Sequence, residues 1–585
     1  MTAQSDWSLT NTEHGLLVAF GEFLQQHGLL TALMQIPIDQ KTRIITPQAK
    51  LIEFLAGIMS GIEYLSDLND GPRPLAKDLI VAQAWGQATF VHYSSVSRTL
   101  DSCAQDTVTA VQIAIDDFSR PFIRQAIHEL LLAGLTLVYD LDLTGQAVSA
   151  SSQSYPHVAF GWMNAQVHLG YQLARICFTA KSGERIWLKG FQHPGDTVSA
   201  SCVQELIGVA ETQSGVRPQR RTELVRQRIC TNEQQQQRPR RLLDQQQTNR
   251  TKLQQTSARL REQIWQSEQV RKQPISQAQS ARLSQRLASW RARLPRLEQQ
   301  LATGERAIAY HQTYLNELLQ TAVQLHEWLR GLEADNRANL DPPSCEVRID
   351  SGFSGGVNLT WLIEMGYQLN TKAPGENTTL ALRKKLTSDA AWTRVGHNAE
   401  MLSYPDYLMH DCPYPLTVAL ERFQLGNEYR YATLLQFRDA GRRLTLVEWF
   451  KQYNARQLIE AGNKELKSGV FQIQHLMTRS AAGIQLQVVF AGLAANVIHW
   501  CVPWLQTCIA QPTAKLLQML TSPKQMVRVA ANSTALVQRM DSGTSLQFAP
   551  TSALPGTILF LRGVPAFQLP LGLQEPCKIT TDSQK

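Results

Sequence analysis

No two cysteines of this chain stand in a Cys-x-x-Cys pair. The nine, at positions 103, 177, 202, 230, 345, 412, 501, 508 and 577, are scattered, which argues against a zinc ribbon or a disulfide framework and fits a reducing cytosol. The N-terminus, "MTAQSDWSLTNTEHG", lacks the basic start and apolar core of a secretion signal. Long apolar runs are scarce too. Only "LQVVFAGLAANVIHWCVPWL" (486–505) approaches membrane-span length, and it carries Gln487, Asn496, His499 and Pro503, which are costly in lipid. A helix buried in a core is the expectation there, with no membrane partner. Charged residues make up 18% against 43% hydrophobic, the balance of a globular protein with a large interior. At 585 residues the chain is too long for one core, so three or four domains are expected.

What charge there is lies unevenly. Residues 216–340 hold 22 Lys+Arg and 11 Asp+Glu, a net of +11, out of a net +8 for the whole chain. The remainder is therefore net −3. All the excess positive charge sits in one segment, which points to a polyanionic partner. That segment is rich in Gln and Arg, as in "EQQQQRPRRLLDQQQ", and could read as a low-complexity linker. However, Leu283, Leu287, Trp290, Leu294, Leu297 and Leu301 step 4-3-4-3-4, a heptad seam, and Tyr314, Leu318, Leu325, Trp328 and Leu332 suggest a further apolar stripe. The spacing predicts two or more long helices with a break near Pro274 and a fold-back in which the seam packs within the hairpin.

Residues 14–130 read as helical, from apolar residues at three- and four-residue steps. "HYSSVSRTLDSCAQDTVTAVQIAIDDF" opens on clustered serines suited to an N-cap and is expected to continue as one helix, with Ser95, Ser97 and Arg98 in its first turn, where they could meet phosphates or base edges. The pattern changes at 135. "LTLVYDLDLTG", "AQVHLGYQLARICFTA" and "GERIWLKGF" have strand character, and 198–213 has helical spacing. After the basic segment come a strand in "CEVRIDSGF", a helix in "GGVNLTWLIEMG" and a strand in "YQLNTKA". The order β-β-β-α-β-α-β is that of a ribonuclease-H-like mixed sheet. A β-rich stretch, 374–445, interrupts it, and its "LTVALERFQL" and "EYRYATLLQF" read as a hairpin around "GNE".

Two features carry chemistry. Asp140 and Asp142 sit two apart on the first strand and so face one side of it, and Asp350 ends another apolar strand before a run of glycines. In the expected sheet the first and fourth strands are neighbours, which would bring Asp142 and Asp350 together and let Glu460 reach across from a later helix. Three converging carboxylates call for divalent cations, and oxygen ligands suit Mg²⁺ or Mn²⁺. The second feature is "YNARQLIEAGNKELK" (453–467), where Tyr453, Arg456, Glu460 and Lys467 fall on one stripe of a single helix. The plainer alternative is a solvated face, with Glu460 and Lys464 as an ordinary i,i+4 ion pair.

These residues together resemble the DDE transposases of bacterial insertion sequences, in the branch with a Tyr-x2-Arg-x3-Glu-x6-Lys signature. Tyr453, Arg456, Glu460 and Lys467 match it at every spacing, "DLDLT" is similar to the branch's Asp-x-Thr block, and "RIDSGFSGGVNLTWLIEMGYQLNTKA" resembles its second-Asp block. The resemblance covers roughly 15–215 and 340–510. It implies Asp142, Asp350 and Glu460 as the metal-binding catalytic triad for two Mg²⁺ ions, with Asp140 a rival for the first place. It also implies Tyr453, Arg456 and Lys467 as phosphate-holding residues, with Arg98 a further DNA contact.

Implied partners are double-stranded DNA, at element ends and target, and a second copy on paired ends, in the cytoplasm near the nucleoid. A flipped base could stack on Trp392. The competing readings are an inactive descendant that only binds DNA, and a scaffold built on the heptad segment. The expected divisions are a helical DNA-binding region (1–130), a catalytic core in three parts (131–215, 341–373 and 446–510), the basic helical insertion (216–340), the β-rich insertion (374–445) and a C-terminal region (511–585).

Overall fold

A computed structural model describes residues 9–563 apart from 42, 43, 152, 153, 164, 440 and 442, so the last part of the C-terminal region lies outside the described residues. The chain divides into two compact units: one formed by Met1–Pro218, Pro342–Ile363 and Tyr367–Lys585, the other by Gln219–Asp341 with Glu364–Gly366.

The first unit is α/β, built on a mixed sheet of ten described strands. Leu137–Ala147 lies at its centre. On one side it pairs antiparallel with Gln166–Thr179, which pairs antiparallel with Arg185–Pro194 and with the short Ala159–Met163. On the other it pairs parallel with Cys345–Ile349, which pairs parallel with Gln368–Lys372. The Gln166–Thr179 strand is buried from Leu169 to Phe178, so its apolar run has no alternation to show.

The hairpin expected in the β-rich insertion is present. Leu416–Leu425 and Glu428–Phe437 pair antiparallel around a two-residue turn, where Gly426 adopts φ +63°, a conformation glycine takes without a Cβ clash. This hairpin extends the sheet by pairing with Gln368–Lys372. A second, five-stranded antiparallel sheet joins Thr10–Thr12 to Ala535–Met540, Gly543–Phe548, Ile558–Leu561 and Ile509–Gln511.

The N-terminal helices do not form a core of their own. Leu16, Phe20, Phe54 and Ile58 share one apolar cluster with Leu173 and Trp187 of the main sheet, with Phe490 and Val497, and with Leu546 and Leu559 of the small sheet. The long apolar helix, Ala481–Cys508, runs through this cluster, and 72% of its most apolar window is buried. Two of its polar residues, Gln487 and Asn496, are paired inside the protein. Asn496 accepts the Trp187 backbone N–H at 2.9 Å and donates to the Trp187 carbonyl at 2.8 Å. Gln487 accepts from the Met477 N–H and donates to the His475 carbonyl.

Two expected helices are each divided. The stretch from Tyr93 makes a helix Tyr93–Asp101 and then a second, Gln105–Leu132. Its cap is the His92 ring, which accepts the Ser94 N–H at 3.3 Å, rather than a serine, and Arg98 sits on the second turn, exposed, with Nη2 on the Ser95 hydroxyl. The signature stretch is also not one straight helix. Leu446–Asn454 ends in a tight turn in which the Arg456 N–H bonds the Tyr453 carbonyl three residues back, a new helix runs Gln457–Lys464, and Glu465–Gly469 widens into a π-turn.

The second unit is a helical hairpin of Thr222–Arg271 and Gln277–Arg337, reversing at Lys272–Ser276, where Pro274 lies. Leu287, Leu297, Leu318, Leu325 and Leu332 are buried in its seam against Val225, Ile229, Leu243 and Leu260, so the heptad packs within the hairpin.

A carboxylate cluster gathered on one arginine

The parallel pairing of the first and fourth core strands sets the site. Leu137 stands beside Cys345 and Asp140 beside Arg348, so both strands deliver their last acids, Asp142 and Asp350, at the same edge. Asp350 is fixed by its own turn, with Oδ1 accepting the Gly352 N–H at 2.8 Å. The helix Gln457–Lys464 supplies Glu460.

All three carboxylates meet the guanidinium of Arg456. Its Nη2 lies 2.7 Å from Asp142 Oδ1 and 3.4 Å from Asp350 Oδ2, and its Nη1 lies 3.2 Å from Glu460 Oε1. Asp142 Oδ2 also accepts from the Asn463 side chain. Burial pushes the Asp142 carboxyl up to about 6, with Asp350 and Glu460 adding to the rise and Arg456 opposing it. Burial alone would lower the Arg456 pKa, but the charges of Asp142 and Asp350 outweigh it and hold the group above its ordinary value. Three carboxylates from three elements surround one positive group, and their oxygens are the donor type that a divalent cation takes. Among the described residues, however, no three such groups are gathered closely enough to hold an ion as they stand.

Asp140 has a different environment. It is 1% exposed and forms a two-pronged ion pair with Arg348, Nε to Oδ1 at 2.8 Å and Nη2 to Oδ2 at 2.5 Å. Arg348 Nη1 donates onward to the Gln452 carbonyl, so the pair ties the strand edge to the helix ahead of the signature turn.

The other signature residues spread around this centre. Tyr453 is buried with Trp449, Met401, Ala419 and Leu434, with Lys372 Nζ 5.5 Å from its ring centroid. Burial raises its hydroxyl pKa well above the ordinary value. Lys467 is half-buried, with Nζ on the Gly145 carbonyl. Its pKa is lowered by burial and by Arg175, against the pull of Asp142. Gly462 allows the helix to approach this closely, because a Cβ there would lie 1.8 Å from Arg185 Nη1. Trp392 packs under Arg422, whose Cζ is 4.0 Å from the ring centroid.

Three residues of this neighbourhood escaped the sequence reading. Arg175 stands directly across the strand pair from Asp142, 2% exposed, with Nε and Nη2 buried and without hydrogen-bond partners among the described residues. Burial lowers its pKa to about 10, and Asp142 opposes this. The available signal was a lone cation in the apolar run "YQLARICF"; Arg348 in "CEVRID" is another. Asn463 could have been found as the residue one turn beyond Glu460. No protein-family model matches the chain, and no curated protein matches it.

Proposed function

We propose that this chain is a DDE-type transposase that cleaves DNA at the ends of an insertion sequence and joins them to target DNA. The observation that carries the reading is the convergence of Asp142, Asp350 and Glu460 on Arg456. The strand order supports a ribonuclease-H-like core: third, second, first, fourth and fifth, with the first three antiparallel and the last two parallel to the first. Asp142 is favoured as the first acid of the triad because it shares Arg456 with Asp350 and Glu460, whereas Asp140 is 1% exposed and paired with Arg348 apart from them.

In this reading Asp142, Asp350 and Glu460 hold two Mg²⁺ ions, with Mn²⁺ able to substitute. When bound, such ions activate the attacking oxygen and stabilise the leaving oxygen of the phosphodiester. The residues of the chain do the rest. Asp350 is pre-set by its turn and Asp142 by Asn463, so their oxygens need little reorganisation. Arg456 balances the three carboxylates and is released to a DNA phosphate once other cations neutralise them. Lys467, at the Gly145 carbonyl, lies at the rim for a second phosphate. Tyr453 contributes chiefly as packing that seats the signature turn. Arg98, exposed on a short helix, is a peripheral DNA contact. The enzyme works in the cytoplasm, beside the nucleoid, as a homodimer on paired double-stranded ends.

The test is incubation of the protein with labelled duplexes spanning the borders of its own genetic element, with Mg²⁺ or with chelator. Divalent-dependent nicking at a defined border is expected. Binding of the borders without cleavage under any divalent cation would leave a DNA-binding protein in its place.

A further inference from the structure

In the helical hairpin one flank carries a row of basic residues with no acid among them. Among the described residues three ion pairs join one helix to the other: Arg226 with Glu333 and Arg261 with Glu298, each at 2.7 Å, and Arg291 with Glu268. In all three the residue numbers add to 559, so one antiparallel register holds from base to tip. With the buried seam at heptad positions a and d (Ile229 and Leu243 at a, Leu260 and Leu297 at d), all six of these residues fall at e. The e flank is therefore where acids and bases neutralise each other.

The opposite flank, positions c and g, differs. In the distal part of the hairpin, residues 238–306, it bears Arg238, Lys252, Arg259, Arg282, Arg286, Arg293 and Arg296 and no Asp or Glu. All seven are exposed, and none has an ion pair among the described residues. Carried through the common register, they form one row along both helices from Arg238 to the tip, roughly 50 Å at 1.5 Å per residue.

We infer that this c/g flank is a docking surface for the phosphate backbone of duplex DNA, built from residues other than those of the carboxylate cluster. The row is longer than one turn of B-form duplex, about 34 Å, and an extended row of cations suits an extended polyanion. Six of the seven cations are arginines, whose forked donors fit phosphate. Tyr310 and Tyr314, 68% and 41% exposed, continue the same flank towards the base and add hydroxyl donors. The exposed Trp265, which a lipid surface would engage, lies on the other flank. Because the contacts are to backbone, binding is indifferent to sequence, so the flank would hold target DNA rather than recognise an end. Naming DNA as the polyanion rests on the proposed function; the charge pattern does not.

The test uses the full chain carrying Asp350→Asn, without divalent cations, and a 20-base-pair duplex of arbitrary sequence, about 68 Å at 3.4 Å per base pair and so one flank length with margin. Cleavage therefore has no part in the outcome, and a failure of the transposase reading would not be mistaken for a failure of this one. One variant removes four flank charges (Arg259→Gln, Arg286→Gln, Arg293→Gln, Arg296→Gln). A control removes four others from the same hairpin (Arg241→Gln, Arg261→Gln, Arg291→Gln, Arg306→Gln). Glutamine is a good helix former, and circular dichroism verifies that both hairpins persist.

The flank variant is expected to bind at least about tenfold more weakly at low salt, with the slope of log K against log salt reduced by roughly 0.9 per lost phosphate contact. The control should stay within about threefold of the parent, as peripheral charges do. Equal losses in the two variants, or none in either, would overturn the assignment to this flank. Poly-glutamate or anionic vesicles binding as tightly as the duplex, with the same dependence on the four arginines, would overturn the assignment to DNA.

Discussion

Asp140 and Asp142 lie two positions apart on one strand yet are held by different arginines: Asp140 by Arg348, sealed in the core, and Asp142 by Arg456, at the open edge. The two acids should therefore fail in different ways. Asp140→Asn leaves the Arg348 charge buried without its partner and should cost on the order of 3–5 kcal/mol, seen as a large fall in melting temperature. Asp142→Asn relieves repulsion from Asp350 and Glu460 while losing one of three carboxylates on Arg456, so its melting temperature should move far less, while Mg²⁺-dependent cleavage is lost. A stable Asp140→Asn protein that is inactive, beside an active Asp142→Asn protein, would reverse the assignment.

Asp350→Asn and Glu460→Gln keep shape and lose the charge that binds a cation. Each should abolish cleavage and leave duplex binding within a few-fold of the parent. A ligand that binds only the folded state stabilises it by about 2.7 kcal/mol at a hundred times its Kd, so Mg²⁺ should raise the melting temperature of the parent and lose that effect in both variants. Cleavage at near-parental rate by either variant would exclude that residue from the triad.

Arg456 now supplies the positive charge that divalent ions would bring. Arg456→Gln should destabilise the protein in chelator by on the order of 3 kcal/mol, since a largely buried partner of Asp142 is gone. The same variant should gain more melting temperature from Mg²⁺ than the parent does, because the ions no longer compete with a guanidinium. An identical Mg²⁺ response in parent and variant would mean that ions and Arg456 do not share the carboxylates.

Much of this centre was legible in the sequence because it depends on short-range rules. The parity of a strand put Asp140 and Asp142 on one face, and the order of the strands made the first and fourth neighbours. What sequence could not reveal is which arginine each acid meets, since Arg348 and Arg456 lie 208 and 314 residues away. The spacing of the signature stripe implies one helix, but the three-residue turn at Arg456 and the π-turn at Glu465–Gly469 are local departures with no glycine or proline to announce their start. The pairing of Thr10–Thr12 with Ala535–Val537 was likewise invisible, because neither short strand has a pattern that singles out the other.

Glu53 gives the N-terminal helices a pH dependence of their own. It is 1% exposed on Pro47–Ser60, with Oε2 accepting the Val91 N–H at 2.8 Å, and burial pushes its carboxyl up to about 8. A folded-state value above the unfolded one means that the folded protein binds the extra proton. The associated stability is fully present below about pH 4.5 and is lost as pH rises through 8, each pH unit in that window removing up to about 1.4 kcal/mol. Glu53→Gln keeps an acceptor for Val91 and cannot ionise, so its stability should decline less between pH 5 and 8.5 than that of the parent. Parallel stability curves for the two proteins would show that Glu53 does not titrate in this range.

The shared register of the hairpin makes its length adjustable. Removing residues 239–259 and 300–320 excises three heptads from each helix, and the boundaries pair in the register set by Arg226–Glu333 and Arg261–Glu298. The a and d positions then rejoin in phase and the e–e pairs on either side keep their partners. The shortened protein should fold with a single cooperative transition and a melting temperature close to that of the parent, since the excised seam holds polar residues such as Gln246 and Arg250 where apolar ones would pack best. Removing 239–259 alone leaves 21 residues of the second helix without a partner and should unfold the distal hairpin, measured as lost helical signal and rapid proteolysis there. If the matched deletion were as damaging as the one-sided one, the uniform register inferred from the three ion pairs would be wrong.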